Sequence, residues 1–200
     1  INNNNLILLT TSGTTGNPKF VRISYKNISH NTERIVKYLK MKKNEKVITT
    51  LPMAYSYGLS VINTSLSSGG VVFLNDHSIV NSDFWKKIKK EKINSFAGVP
   101  ALYEFLKKIK FHKLLPKSVK YLTQAGGKMN HDLWKYLLDI SVKKKMKFFS
   151  MYGQTEASPR MSFIELTKYK KKICTIGKSL NGTKFKIFKN NLEIKKNFHE

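Results

Sequence analysis

The chain has 200 residues, 40% of them apolar and 24% charged, which is the composition of a folded domain and excludes wholesale disorder. A chain of this length buries roughly 70% of its unfolded surface, enough for one sizeable domain or two small ones, and no apolar run is long enough to span a bilayer. Lysine and arginine total 37 against 12 acidic residues, a formal charge of +25. Only Arg22, Arg34 and Arg160 are arginines, whereas arginine is the favoured side chain for bidentate phosphate and base contacts. The charge therefore reads mainly as solvated lysine faces and argues against a nucleic-acid partner.

The elements alternate along the chain. Leu6–Thr10 is a short apolar strand that runs into a Gly/Thr/Ser loop, and Lys19–Ile23 reads as the next strand. Ser24 is placed to cap a helix reaching about Lys40, with Ile28, Ile35 and Leu39 on one face. Val47–Leu51 is a strand stopped by Pro52. A helix over Leu59–Ser67 is closed by Gly69-Gly70. Val71–Leu74 is a strand, Asp83–Lys92 a basic helix and Ile93–Val99 a strand. Pro100 opens a helix over Ala101–Ile109. Val119–Gln124 is a strand, His131–Lys145 a helix with Leu133, Leu137 and Ile140 inward, and Lys147–Met151 a strand. Lys184–Phe188 reads as a strand of a separate layer. Trp85 and Trp134 are expected in the core.

This alternation predicts an α/β fold with mostly parallel sheets flanked by helices. Ligands of such sheets sit beyond the carboxyl ends of the strands. The loops at 11–18, 52–58, 124–129 and 152–158 all follow strands, so they are expected to share one crevice.

The strongest signal is Thr11-Ser12-Gly13-Thr14-Thr15-Gly16-Asn17-Pro18-Lys19. Its two glycines let the backbone approach a ligand closely, its hydroxyls and amides donate, and Lys19 adds charge, which together suit a polyphosphate. It is not a Walker A loop: two residues rather than four separate the glycines, and Phe20 follows Lys19. His30, His77, His112, His131 and His199 show no ligand spacing, and with Cys174 as the lone cysteine a zinc site is not expected.

This nonapeptide resembles the phosphate-binding signature of the adenylate-forming superfamily, which includes acyl-CoA synthetases, acyl-AMP ligases, peptide-synthetase adenylation domains and luciferase. Further segments match in order: Leu51-Pro52-Met53-Ala54-Tyr55-Ser56-Tyr57-Gly58, Ala97-Gly98-Val99-Pro100, Gln124-Ala125-Gly126-Gly127-Lys128-Met129, Met151-Tyr152-Gly153-Gln154-Thr155-Glu156, and Ile176-Gly177-Lys178-Ser179-Leu180-Asn181-Gly182.

The resemblance implies a region of the large N-terminal domain of such an enzyme. Residues 1–175 would be the AMP-binding core, incomplete at its start. Residues 176–200 would begin the next β-rich subdomain, with the C-terminal lid domain outside the chain. Thr11 to Lys19 would cradle the ATP phosphates. Gly126, Gly127 and Lys128 would present backbone to the adenine, and Tyr152 would stack on it, within the run Tyr152, Gly153, Gln154. Thr155 would contact the α-phosphate and Glu156 would hold Mg²⁺, so that Lys19, Thr155 and Glu156 are the catalytic candidates. Tyr55, Tyr57 and Gly58 would border the acid pocket, with Tyr55 where many members have histidine.

The implied reaction joins a small carboxylic acid to ATP, releases pyrophosphate, and passes the acyl group to CoA or to the phosphopantetheine of an acyl or peptidyl carrier protein. Two other readings are a non-catalytic nucleotide-binding or scaffold descendant of the same fold and, from the charge, a basic nucleic-acid-binding domain. The chain departs from the pattern at Phe20, where glycine is usual, and at Thr123-Gln124-Ala125, where a serine is common. The single cysteine fits a reduced compartment, read as the cytoplasm, and residues 1–10 do not read as a secretory signal. The first and last residues read as cut ends, and the ribose-gripping aspartate of the family is not identifiable. The isolated 200 residues are therefore expected to bind nucleotide weakly and to form little adenylate, and robust adenylate formation by this chain alone would overturn that expectation.

Overall fold

The structure, a computed structural model, describes residues 5–11, 19–172, 174–189 and 192–193. Asn5–Thr11 (β1) and Lys19–Ser24 (β2) form an antiparallel hairpin in which Thr11 faces Lys19 across the ladder. Helix α1, Tyr25–Leu39, starts where the sequence places it. Ser24 Oγ accepts the Asn27 N–H at 3.2 Å, and Asn27 Oδ1 accepts the Ser24 N–H at 3.3 Å, a reciprocal cap that satisfies two orphan donors.

Lys46–Ile48 (β3), Val71–Phe73 (β4), Ser95–Gly98 (β5), Tyr121–Gln124 (β6) and Lys147–Tyr152 (β7) are all parallel. Ser162–Glu165 (β8) and Lys178–Ser179 (β9) extend the sheet antiparallel, giving the order β4-β3-β5-β6-β7-β8-β9. Helices α2 (Ser56–Ser67), α3 (Ser82–Lys90), α4 (Pro100–Lys108) and α5 (His131–Lys143) supply the crossovers between parallel strands. Phe188–Lys189 (β10) and Leu192–Glu193 (β11) pair as a separate ribbon. The α/β reading therefore holds, with a mainly parallel sheet.

Several boundaries moved, for local reasons. β3 stops at Ile48 rather than Leu51 because the next residues bend towards Pro52, and the Thr50 hydroxyl donates to the Ala97 carbonyl at 2.5 Å in place of a backbone rung. α2 begins at Ser56 rather than Leu59, with Tyr55 as its cap residue. Residues 184–187 are not strand, and pairing starts at Phe188. β8 and β9 were not expected. Each is short, and β8 turns back only after the loop that follows β7.

The sheet is covered on both faces. On one, the aromatic cluster of Phe84, Trp85, Phe96, Tyr103 and Phe111 packs with Leu122, Leu133, Trp134, Leu137 and Phe148 between α3, α4, α5 and the strands. Trp85 and Trp134 are core residues, as expected. On the other face, Ile35 and Leu39 of α1 pack on Tyr121 and Phe149. Tyr103 ties helix to sheet, its buried hydroxyl donating to the Thr123 carbonyl at 2.9 Å.

Exposed lysines occur on α1, α3, α4 and α5, hence on both sides of the sheet rather than along one stripe. Among the described residues no helix is long and apolar enough to cross a membrane. Phe96 is 1% exposed and touches Phe84, Trp85, Tyr103 and Phe111. Phe96→Ala is expected to cost about 3–5 kcal/mol in denaturant unfolding, whereas Lys89→Ala on the solvent side of α3 should change stability by less than about 0.5 kcal/mol.

Candidate active site

Because β3, β5, β6 and β7 are parallel, their carboxyl ends open on one edge, and the loops after them are neighbours. The segment after β3 folds into a tight turn, with the Tyr55 N–H donating to the Pro52 carbonyl at 3.1 Å. Gly58, in the first turn of α2, lies against that carbonyl, and a Cβ there would collide with it. This close approach fixes how Tyr55, Ser56 and Tyr57 leave the turn.

The segment after β6 turns at Gly126, whose φ of +82° favours glycine. The Tyr55 hydroxyl rests on the position a Cβ would occupy. Burial raises the Tyr55 phenol above its usual range, so it stays a neutral hydroxyl. Gln124 braces the turn: its amide donates to the Gly127 carbonyl at 3.0 Å, while its side-chain oxygen accepts from Ser150 Oγ at 2.8 Å. Gly126, Gly127 and Lys128 are left exposed.

The segment after β7 carries the third part. Tyr152 is 41% exposed, and the Phe185 ring lies 6.2 Å from its own between centroids. Gly153 has no room for a side chain, because a Cβ would run into the Pro159 carbonyl. Exposed Gln154 leads into a 3-10 turn over Thr155–Ala157, which ends at Ser158 in the left-handed region. Thr155 Oγ1 and Ser56 Oγ lie 3.1 Å apart, which joins this turn to the start of α2. Glu156 is exposed and makes no ion pair among the described residues. β2 runs beside this turn. Lys19 is exposed and Thr11 half-buried. Ser12, Gly13, Thr14, Thr15, Gly16, Asn17 and Pro18 lie outside the described residues.

Tyr57 differs from Tyr55. It is 2% exposed, its hydroxyl lies 2.8 Å from Thr123 Oγ1, and burial pushes its phenol far above the usual range. Its ring lies over the guanidinium of Arg160, 5.0 Å from Cζ. Sequence reasoning passed over Arg160, Ser56 and the Gln124–Ser150 brace. The only available signal for Arg160 was its rarity among lysines.

The site suits magnesium. Among the described residues no group of three His, Cys, Asp or Glu side chains forms a cage. Magnesium needs none: it keeps several waters and takes one or two carboxylates together with substrate phosphates. Unpaired and exposed, Glu156 can be such a ligand, next to the Thr155 hydroxyl.

The model of the AMP-binding enzyme family matches residues 2–197, and the chain belongs to that family. It is 26% identical over 180 residues to the 2-succinylbenzoate–CoA ligase of Listeria innocua serovar 6a, covering 90% of this chain and 37% of that one. It is 23% identical over 167 residues to a D-alanine–D-alanyl carrier protein ligase of Bacillus cytotoxicus, covering 82% of this chain and 33% of that one. The chain thus spans about a third of the length of these curated relatives. Among solved structures, its fold resembles that of the o-succinylbenzoate coenzyme A synthetase of Bacillus subtilis in complex with ATP and magnesium ion. That match has a TM-score of 0.79 at 24% identity, covering 94% of this chain and 38% of that one.

Gly126→Ala tests the joined turns. The left-handed backbone costs a non-glycine residue about 1–2 kcal/mol, and the Tyr55 hydroxyl adds a clash. The variant is expected to lower thermal stability, and Tyr55→Phe in the same chain should recover only the steric part. Full recovery would mean that the φ of Gly126 is not constrained in solution.

Proposed function

We propose that this chain is the nucleotide-binding heart of an enzyme that activates a carboxylic acid with ATP. It forms an acyl-adenylate with release of pyrophosphate, and then transfers the acyl group to the thiol of CoA or of a carrier protein with release of AMP. The observation that supports this reading best is the meeting of three turns on one sheet edge: the glycine turn at 126–127, the Thr155–Glu156 turn and the 52–58 turn that touches both. Residues 1–175 are read as the AMP-binding core and 176–200 as the beginning of the next β-rich subdomain.

The chemistry asks for positioning and charge control more than for proton transfer. The attacking carboxylate is already an anion, so no general base is needed. Its oxygen attacks the α-phosphorus of ATP, and the bond to the pyrophosphate oxygen breaks. Thr155 donates its hydroxyl to an α-phosphate oxygen, held in place by Ser56. The exposed Gly126–Gly127–Lys128 backbone forms one wall for the adenine and Tyr152 the other. The Thr11–Lys19 segment, Ser12, Gly13, Thr14, Thr15 and Gly16 included, wraps the outer phosphates, and Lys19 offsets their charge. Glu156 holds magnesium, which when bound neutralises phosphate charge. Holding reactants in line in this way can itself contribute on the order of 7–11 kcal/mol to lowering a barrier. Tyr55, Tyr57 and Gly58 border the acid.

The excess of cations would steer an acidic carrier protein to the surface. The free, exposed Cys174 fits the reduced conditions of a cytoplasm.

The test is ATP–pyrophosphate exchange by the full-length protein over a panel of short, long, aromatic and amino acids. Exchange that depends on one class of acid, and falls at least about 100-fold in Glu156→Ala, the order lost when a charge-stabilising group is removed, is the expected result. ATP binding with no exchange on any acid would instead identify a non-catalytic descendant of the fold.

A further inference from the structure

Arg160 is the one buried cation among the described residues, and no carboxylate among them lies within ion-pair distance of it. Its guanidinium is a joint between elements. One terminal nitrogen donates to the Tyr38 hydroxyl of α1 at 3.1 Å, and the other to Ser60 Oγ of α2 at 3.0 Å. The Tyr57 ring, also on α2, covers one face at 5.0 Å. Both hydroxyls pass the connection on: Tyr38 donates to Met151 Sδ of β7, and Ser60 to the Tyr57 carbonyl. The Arg160 carbonyl accepts from the Asn31 side-chain amide of α1 at 2.8 Å. Arginine can join elements in this way because its planar fork presents several donors in fixed directions.

Arg160 also stands at the base of the loop that carries Thr155 and Glu156. The Met161 N–H donates to the Tyr152 carbonyl at 2.8 Å, and Gly153 lies against the Pro159 carbonyl, so residues 153–160 form a loop closed at its base. Inside it, the Ala157 and Ser158 N–H groups donate to the Gln154 and Thr155 carbonyls at 3.0 and 3.1 Å. Among the described residues, two side-chain hydrogen bonds fasten this loop to α2. Ser60 holds its base through Arg160, and Ser56 Oγ meets its tip at Thr155 Oγ1, 3.1 Å away. The two serines stand about one turn apart on the same side of α2, about 6 Å along its axis. Two ties at that spacing fix both the position and the tilt of the loop. One tie would leave it free to pivot.

Resting on the proposed adenylation, we infer that Arg160 is a positioning residue for attack at the α-phosphorus: by fastening the base of the 153–160 loop to α1 and α2, it holds the Thr155 hydroxyl in reach of the α-phosphate. Its side chain is enclosed by Tyr38, Tyr57 and Ser60 and acts through Thr155 rather than on the substrate. A misplacement of about 1 Å at a reacting group can cost on the order of 100-fold in rate, so a loop that pivots on one tie is slow without being unfolded.

The experiment compares wild type with Arg160→Met in the full-length protein. Methionine is flexible enough to fill the site, and the exchange removes a buried charge, which proteins often tolerate when an apolar side chain of similar volume takes its place. Tyr38 and Ser60 keep their own acceptors in Met151 and Tyr57, so neither hydroxyl is left without an acceptor. In ATP–pyrophosphate exchange, kcat per folded molecule is expected to fall about 10- to 100-fold, with KM for the acid within about twofold of wild type. Amide hydrogen exchange supplies the second readout: Ala157 and Ser158 should exchange at least about 10-fold faster, while Leu122 and Phe148 in the sheet keep the wild-type rate. Ser60→Ala, which removes the base tie to α2 alone, carries the same two readouts should the methionine variant not fold. Activity lost only in step with the folded fraction, a raised KM at wild-type kcat, or unchanged amide exchange in the loop overturns the assignment and leaves adenylation standing. No pyrophosphate exchange by wild type with any acid overturns both.

Discussion

Parallel pairing of β3, β5, β6 and β7 is the constraint on which the rest of the molecule depends. Parallel strands cannot be joined by short turns, so each is followed by a loop, a helix and a return. All the loops that leave the strands then lie on one edge, whatever their sequences. Three such loops, rich in glycine and hydroxyl residues, therefore become neighbours although up to about a hundred residues separate them, as with Ser56 and Thr155. A one-residue slip in β6 against β7 would break the Gln124–Ser150 bond and turn Thr123 and Gln124 to the wrong faces.

The two faces of the sheet do different work. The face under α3, α4 and α5 is a dense aromatic core, with Phe96 and Trp85 stacked and Phe84 set edge-on to both. Burying each such ring contributes about 1.5–3 kcal/mol, and rings in contact resist the small displacements that would loosen the strand ends. The face under α1 and α2 carries two smaller apolar clusters, Ile35 and Leu39 on Tyr121 and Phe149, and Tyr57 with Ala97, Ala125 and Met151. It also holds buried polar groups: Asn31, Thr32, Ser60 and Arg160. One face thus holds the strand ends rigid. The other adds hydrogen-bonding groups beside its apolar clusters.

The glycines of the edge are steric rather than flexible features. Gly58 meets the Pro52 carbonyl, Gly153 meets the Pro159 carbonyl, and Gly126 lies beneath the Tyr55 hydroxyl. Each marks a place where two backbone segments, or a backbone and a ring, come closer than any Cβ would permit. The site is assembled from these close approaches, which leave exposed backbone at Gly126 and Gly127 and an exposed carboxylate at Glu156.

Much of this was legible in the sequence. Ser24 with Asn27, Pro100, and the apolar spacing of Leu133, Leu137 and Ile140 carry their own local structure, because caps, fixed φ and helical periodicity act over a few residues. The order of strands and helices, and so the fold class and the edge that holds the loops, follows from such local signals. The segments at 11–19, 124–129 and 151–156 could be singled out because glycines and hydroxyls cluster there. Contacts between distant segments were not legible. Nothing near Arg160 announces that Tyr38, Tyr57 and Ser60 will enclose it, since those residues lie about a hundred positions or more away. Nor do the two-residue pairing of β9 and the antiparallel return of β8 leave a periodic trace. By itself the sequence determined the elements, their order and the chemical character of the loops, because those depend on neighbours along the chain. Which side chains meet, and which cation is buried without a counter-charge, only the tertiary structure decided, because burial and pairing depend on neighbours in space.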